Sequence, residues 1–466
     1  MYKRVSYEQM KKREKRRRKA IRVGCALLMA AAVGTTSFVL AVKALAAPED
    51  PAVEAEANRK EEIRRVEESI SGNVPVLDEI EKVPGVPAIV IDAGHGGEDE
   101  GCEKDGIYEK DINLAIAKLV EGKLEGMGYQ VIMAREDDTY IAKEERVENA
   151  NACEADIYVS IHQNTFEDSN VEGIETWYDG SNSGKDSKRL AQLIHQETLK
   201  STGAAARELR NDADFHVTGK TSMPSCLIET GFLSNQGERE KLMSPEYQEQ
   251  VAKGIVQGIE LYFHPKTMYL TFDDGPYMEN TERVLEVLKK RNIKATFFLV
   301  GENVERNPEM AKRIAQEGHT IGIHCYSHDY KAIYESVDSY VEDFEKAYEL
   351  IKEVTGVEAK FFRFPGGSVN AYNKKVCNAI AEEMTKRGFI YYDWNASLED
   401  AVKDPKPEQL IANALGSIQG KDHVVVLAHD VIHATGMCLD DLLEQLPEYQ
   451  MEVLTEDLEP VHFRME

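Results

Sequence analysis

Pro87–Gly97 reads PAIVIDAGHGG and Met268–Pro276 reads MYLTFDDGP. Each is a run of apolar residues that ends in polar groups and a glycine turn. That is the pattern of a strand buried on both faces, with His95 just past the end of one and Asp273 and Asp274 at the end of the other. In open α/β sheets the carboxyl ends of the strands are where ligands bind. A chain of 466 residues exceeds one ordinary core, since roughly 100 to 200 residues make a domain. Two such strand ends in two halves fit two domains.

Outward from the first stretch, Glu109 precedes DINLAIAKLVEGKLEGMG, whose apolar residues fall at helical spacing and put Glu109 in a helix's first turn. YQVIMARE reads as a strand, ERVENANAC as a helix and ADIYVSIH as a strand presenting His162, while SMPSCLIETGF ends another strand that carries Glu229. His95, Glu109 and His162 thus converge from three element ends. Two imidazoles and a carboxylate are a recurring zinc set with a position open for water. Glu229 plays a different part, because a carboxylate beside the metal can take a proton from water and pass it to a leaving amine. Singly, a histidine is usually structural and a strand-end glutamate usually solvated, but the four together with their glycines form a metal site.

This combination resembles the zinc-dependent N-acetylmuramoyl-L-alanine amidase family, from AIVIDAGHGG through IETGFLSN to YQEQVAKGIVQGIELYF. The resemblance implies zinc on His95, Glu109 and His162, with Glu229 catalytic. It also implies cleavage of the amide between the lactyl group of N-acetylmuramic acid and the L-alanine of a stem peptide. SIHQN (Ser160–Asn164) stands where members often read SIHAN, a change expected to be tolerated.

Around the second stretch, TERVLEVLKKRNI and MAKRIAQEGHT read as helices, and KATFFLV, TIGIHCYSH, FFRFPGG, FIYYDWN and HVVVLAHD as strands. Strand and helix alternate, which predicts a distorted (β/α) barrel with its chemistry at the strand ends. Adjacent residues of an extended segment face opposite sides, so Asp273 and Asp274 need the twist at the strand end to reach one site. One would ligate a metal and the other hold a proton. His324 and His328 lie four apart, a spacing that lets both reach one metal. A hydrated turn at Asp273-Asp274 and a core role for His429 would each be ordinary alone. In series, TFDDGP, HxxxH, RxPxG and LxHD make a metal hydrolase.

These motifs resemble the polysaccharide deacetylase family, also called the NodB homology domain or carbohydrate esterase family 4. The resemblance implies that Asp273 is the general base and that Asp274, His324 and His328 bind the metal. Arg363 would orient Asp273, His429 would protonate the leaving amine, Asp393 would orient His429, and Pro365 and Trp394 would line the substrate groove. RFPGG departs from the more usual RPPYG by a glycine in place of the tyrosine, which leaves the metal chemistry alone and puts the groove in question. Two histidines and an aspartate suit Zn, Co, Ni or Mn, with affinity order and availability deciding which is bound.

The chain begins with a basic tail, residues 1–21, containing KKREKRRRK (Lys11–Lys19). An apolar segment, 22–43, follows. Lys and Arg resist translocation, so this order sends the remainder out of the cytoplasm. The segment is long enough to span a membrane, which favours an anchor, while Ala44-Leu45-Ala46 before Ala47 also suits a signal-peptidase site. Residues 44–85 read as a spacer rich in Glu, Ala and Pro, 86–264 as the open α/β first domain with a mostly parallel central sheet, and 265–466 as the second domain. A formal net charge of −27 repels nucleic acid and anionic lipid. The expected partners are peptidoglycan glycan strands and stem peptides, with no protein partner implied. Seven scattered cysteines, an odd number without a CxxC pair, argue against a disulfide framework.

Overall fold

The computed structural model describes residues 82–182, 184–213 and 216–463. The basic tail, the apolar segment and most of the spacer lie outside the described residues. Among those described, no helix is long and apolar enough to cross a membrane.

Strand β1 (Ala88–Ala93) is buried at every position, as an unbroken apolar run covered on both faces should be. A small hairpin follows, β2 (Glu103–Lys104) and β3 (Ile107–Tyr108). Next come β4 (Gln130–Met133), β5 (Ile157–Asn164), β6 (Ile174–Tyr178), β7 (Ala206–Asn211) and β8 (Ser225–Phe232). The six longer strands form a sheet in the order β4-β1-β5-β8-β6-β7, parallel except where β6 runs against β8. Helices Glu109–Gly126, Ser187–Thr202 and Pro245–Phe263 pack apolar stripes on one face. Helices Lys143–Ala152 and His216–Lys220 cover the other. Ser244 caps Pro245–Phe263 by accepting the Tyr247 amide, with proline at the first helical position, and both residues are favoured at those places in a helix's first turn. The open α/β arrangement expected of this half is present.

The helix ending at Phe263 is followed almost at once by β9 (Lys266–Asp273). The strands after it are β10 (Thr296–Val300), β11 (Thr320–Cys325), β12 (Phe361–Phe362), β13 (Ile390–Tyr391), β14 (Ala396–Ser397), β15 (His423–His429) and β16 (Tyr449–Glu452). Their order is β13-β12-β11-β10-β9-β15-β14, with β16 beside the first half of β9. Every pairing is parallel.

The expected barrel is instead a curled half-barrel. Consecutive in the chain, β13 and β14 stand at opposite ends of the sheet and are unpaired with each other. Only Tyr392–Asn395 join them, a link of roughly 18 Å at full stretch, so the sheet must curl until its edges nearly meet. Other groups satisfy the backbone of that link. The Tyr392 and Asp393 amides donate to the carbonyls of Phe362 and Val461. From β12's end, the Arg363 guanidinium fills the gap, donating to the carbonyls of Tyr392 (2.9 Å) and Asp393 (3.0 Å).

The two sheets are tied at their junction. Arg189 donates to the carbonyls of Leu261, Tyr262 and Pro447, and Glu444 accepts from Lys188, Gln192 and Arg291. The six cysteines among the described residues are free thiols.

Candidate active sites

His95 stands in the turn after β1 with φ +61°, Glu109 opens helix Glu109–Gly126, and His162 lies near the end of β5. Glu109 Oε1 is 3.2 Å from His95 Nε2 and 2.9 Å from His162 Nδ1. One donor atom from each of the three residues lies within 4.8 Å of the others. Glu109 is buried and fixed by the amides of Cys102 and Gln163 and by Asn113 Nδ2. Burial opposes its charge, yet the two histidines hold its carboxyl far below the usual range. For His95, burial opposes protonation, but Glu109 and Asp99 raise the imidazole to about 9. Such a cluster of mutually attracting donors is what a divalent cation would occupy.

Glu229 is the cross-strand neighbour of His162 on β8. Its Oε2 is buried without a hydrogen-bond partner, and burial lifts its carboxyl to about 7 against the pull of His162. A carboxyl poised near neutrality can both take and give a proton.

Two arginines hold the turn that carries His95, and the sequence alone singles out neither. Arg146 donates to the carbonyls of Ala93 and His95 and pairs with buried Asp92. Arg135 donates to the carbonyls of Ala93 and Gly94. Their only signal is an arginine inside the otherwise routine ARE and ERV stretches.

In the second centre Asp273 ends β9 and Asp274 takes φ +76°. That left-handed residue is the twist which turns both carboxylates toward His324. Asp274 Oδ1 lies 3.4 Å from His324 Nε2 and 3.2 Å from His328 Nε2, and the three form a second donor cluster within 4.8 Å. Asp274 Oδ1 is buried without a hydrogen-bond partner. Despite burial, the two histidines hold its carboxyl well below the usual range. His324 Nδ1 lies 2.9 Å from the Arg363 carbonyl, which fixes the tautomer and leaves Nε2 for a metal.

Arg363 is fully buried and reaches Asp273 Oδ1 at 2.9 Å and Thr271 Oγ1 at 2.6 Å. His429, on β15, is the cross-strand neighbour of Asp273. The residue that holds His429 is Asp400, not Asp393. Asp400 Oδ1 lies 2.7 Å from His429 Nδ1, whereas the Asp393 carboxylate accepts from the Ser368 amide and hydroxyl and from the Phe463 amide. Asp393 therefore clasps two chain segments together and does not hold His429. Pro365 is buried, its carbonyl accepting from Tyr334 and Asn370. Trp394 is half-buried, edge-on to Phe463.

Two histidine–carboxylate centres, each at the strand ends of its own sheet and each beside a further carboxylate, define a double hydrolase. Residues 89–261 match the family described as N-acetylmuramoyl-L-alanine amidase, and residues 262–385 match the polysaccharide deacetylase family. The chain is 40% identical over 189 residues to the uncharacterized protein YqiI of Bacillus subtilis, covering 41% of this chain and 90% of that one. To the N-acetylmuramoyl-L-alanine amidase LytC of the same organism it is 35% identical over 199 residues, 42% of this chain but only 40% of LytC. A peptidoglycan-N-acetylglucosamine deacetylase of Bacillus cereus is 33% identical over 206 residues, 42% of this chain and 73% of that one. The chain belongs to both families: it is an enzyme in which an amidase domain is fused to a polysaccharide deacetylase domain.

Proposed function

We propose that the protein works outside the cytoplasm on peptidoglycan, cutting stem peptides from the glycan at its first centre and removing acetyl groups from the amino sugars at its second. The observation that carries this is the pairing, in each half, of a His/His/carboxylate donor cluster with a neighbouring carboxylate free to move a proton.

In the first centre His95, Glu109 and His162 would hold zinc, which supplies Lewis-acid polarisation of the scissile carbonyl. Glu229 takes the proton of the attacking water and delivers it to the departing L-alanine nitrogen. Its near-neutral carboxyl supports both halves of that transfer. In the second centre Asp274, His324 and His328 would hold a divalent metal, Zn, Co, Ni or Mn, with the same electrophilic role. Asp273, aligned by Arg363, takes the proton from water. His429, kept protonated by Asp400, gives one to the sugar nitrogen as acetate leaves. The short join between the halves supports action on one strand, with the amidase first and muramic acid, bared of its peptide, deacetylated next. The name of the Bacillus cereus relative favours a second reading in which N-acetylglucosamine is the sugar.

Digesting purified peptidoglycan with residues 48–466 and with Glu229→Ala and Asp273→Ala variants, and weighing the products by mass spectrometry, tests the assignment. The second variant should lose released acetate alone, whereas the first should lose released peptide and, because deacetylation follows peptide removal, acetate from intact peptidoglycan too. The mass of the sugar products separates muramic acid from N-acetylglucosamine. Equal acetate release from peptide-bearing and peptide-free glycan would remove the proposed order.

A further inference from the structure

The two sheets meet at their amino ends. In the first, the parallel strands β1, β5 and β8 run toward the donor cluster, so their opening residues mark the opposite end. The Ser225 amide, opening β8, donates to Ser187 Oγ at 3.1 Å, which sets the start of helix Ser187–Thr202 at that end. Helix Pro245–Phe263 runs the other way along it. Ser201 Oγ donates to the Gln250 carbonyl near its beginning, and Arg189 to the Leu261 and Tyr262 carbonyls near its finish. The Tyr129 hydroxyl, one residue before β4, donates to Glu260. That helix therefore stops at the amino end of the first sheet, and β9 begins three residues later.

Lys266, the first residue of β9, marks the amino end of the second sheet. Helix His433–Glu444 leaves the carboxyl end of β15 and returns to the start of β16, where Tyr449 pairs with Lys266. Glu444 and Pro447 lie at that return. Lys188 and Gln192 meet Glu444, and Arg189 meets the Pro447 carbonyl, so the ties between the halves run from one amino end to the other. Only His264 and Pro265 separate helix from strand, too short a link to let one half fold over the other. Each centre is carried to the outer end of its sheet. His162 stands five residues along β5 and Asp273 seven along β9, roughly 17 and 23 Å from the joined ends at about 3.3 Å per residue. A cleft of about 610 Å³ at the junction, between Arg189, Pro265, Arg291 and Pro447, is lined by no residue of either centre. The pocket of about 450 Å³ beside His95 and His162 is lined by first-half residues alone. Neither cavity links the two centres.

We propose that the two centres work back to back: a stretch of glycan stripped of peptide at the first leaves it and is bound afresh at the second, whichever copy of the enzyme stripped it. This rests on the reading above, in which peptide removal precedes deacetylation of muramic acid. Joining two sites raises the local concentration of a shared ligand only where both can be engaged together. A join at the amino ends turns each centre outward to its own stretch of glycan. The fusion therefore delivers equal numbers of the two activities to one place, and a strand is acted on in two visits.

The test gives soluble glycan strands bearing stem peptides to residues 48–466 and follows acetate lost from muramic acid by mass spectrometry. The unmodified chain is compared with a mixture of its Glu229→Ala and Asp273→Ala variants, each at the concentration of the unmodified chain, so that every centre is equally abundant in both. The mixture should release acetate at the rate of the unmodified chain, and the two should stay equal as the enzyme is diluted. A mixture that falls behind on dilution, by as much as the order of 100-fold that tethering supplies, overturns the proposal, because only transfer within one chain is lost on mixing. A second measurement needs no variant. Isotopically labelled peptide-bearing strands are given to the unmodified chain with a saturating excess of unlabelled peptide-free strands. Labelled acetate should fall in proportion to the excess, and labelled acetate that resists the competitor also overturns the proposal. Peptide-free strands that yield no acetate would instead overturn the order of reactions beneath it.

Discussion

Asp400 grips His429 at two points: Oδ1 lies 2.7 Å from the imidazole Nδ1, and Oδ2 accepts the His429 amide at 2.7 Å. Thr435 donates to the same Oδ2. Burial alone would lower the imidazole's affinity for a proton, but the Asp400 carboxylate overcomes it and holds His429 at about 9. The raised value means that His429 stays protonated up to that pH and is lost as an acid above it. The deacetylase kcat/KM should therefore fall above about pH 9. With Asp400→Asn the anion is gone while burial remains, so the alkaline limb should move down past neutrality. At pH 8 that variant should lose on the order of tenfold or more, within the range of an acid–base contribution. A pH–rate profile measured on both proteins would refute the pairing if the limb stayed in place.

Arg363 serves four acceptors at once: Thr271 Oγ1, Asp273 Oδ1 and the carbonyls of Tyr392 and Asp393. Lysine offers a point charge and cannot reproduce that fork. Arg363→Lys should reduce deacetylation on the order of 100-fold, the lower range for a misaligned base. Arg363→Ala should also cost about 3–5 kcal/mol of stability, because Asp273 is left buried and uncompensated. Thermal unfolding reads the second effect, and an unchanged melting temperature for the alanine variant would contradict the role given to Arg363 in closing the half-barrel.

Much of both donor clusters is legible from residue order, because several of their residues, and the carboxylates beside them, sit at or near ends of strands whose apolar runs announce themselves. AIVIDA and MYLTFD read as strands for that reason. What escapes is set by contacts distant in sequence. Asp400 lies in SLEDAVKD, where nothing distinguishes it from its acidic neighbours; only the pairing of β14 with β15 brings it under His429. Asp393, beside Trp394 in an aromatic stretch, is the better candidate by sequence, yet the chain's closing segment claims its carboxylate through the Phe463 amide. The half-barrel is hidden for a related reason: β13 and β14 are two-residue strands, too short for any periodicity to show that they lie at opposite edges. The antiparallel strand IETWY, β6, is likewise unread in a stretch dense with polar residues.

Glu229 and His95 separate two roles. If Glu229 moves protons without holding metal, Glu229→Gln should reduce peptide release by roughly 100-fold or more while zinc content per chain stays the same. His95→Ala should lose activity and metal together. Elemental analysis beside the activity assay distinguishes them, and a drop in zinc for Glu229→Gln would make that residue a ligand. Treatment with a chelator should silence peptide release and acetate release alike, with added Zn restoring the first.

The loop between His95 and Glu109 offers a controlled test of the first centre. Gly101 and Gly106 both have positive φ, +68° and +79°, so alanine at either costs about 1–2 kcal/mol of backbone strain. Their surroundings differ. A Cβ on Gly101 would stand 2.5 Å from Glu109 Oε2 and 2.7 Å from His95 Cδ2, whereas one on Gly106 meets nothing within 4 Å. Gly101→Ala must therefore push two members of the donor cluster apart, and Gly106→Ala should leave them in place. The first should weaken zinc binding and peptide release by about 10- to 100-fold, the size of effect seen when a ligand's support is disturbed. The second should show the strain as a small stability loss with zinc affinity retained. Deacetylation of peptide-free glycan should be untouched in both, since that centre is built on the other sheet. Equal zinc affinities for the two variants would mean that the contact between Gly101 and the cluster does not govern how His95 and Glu109 meet the metal.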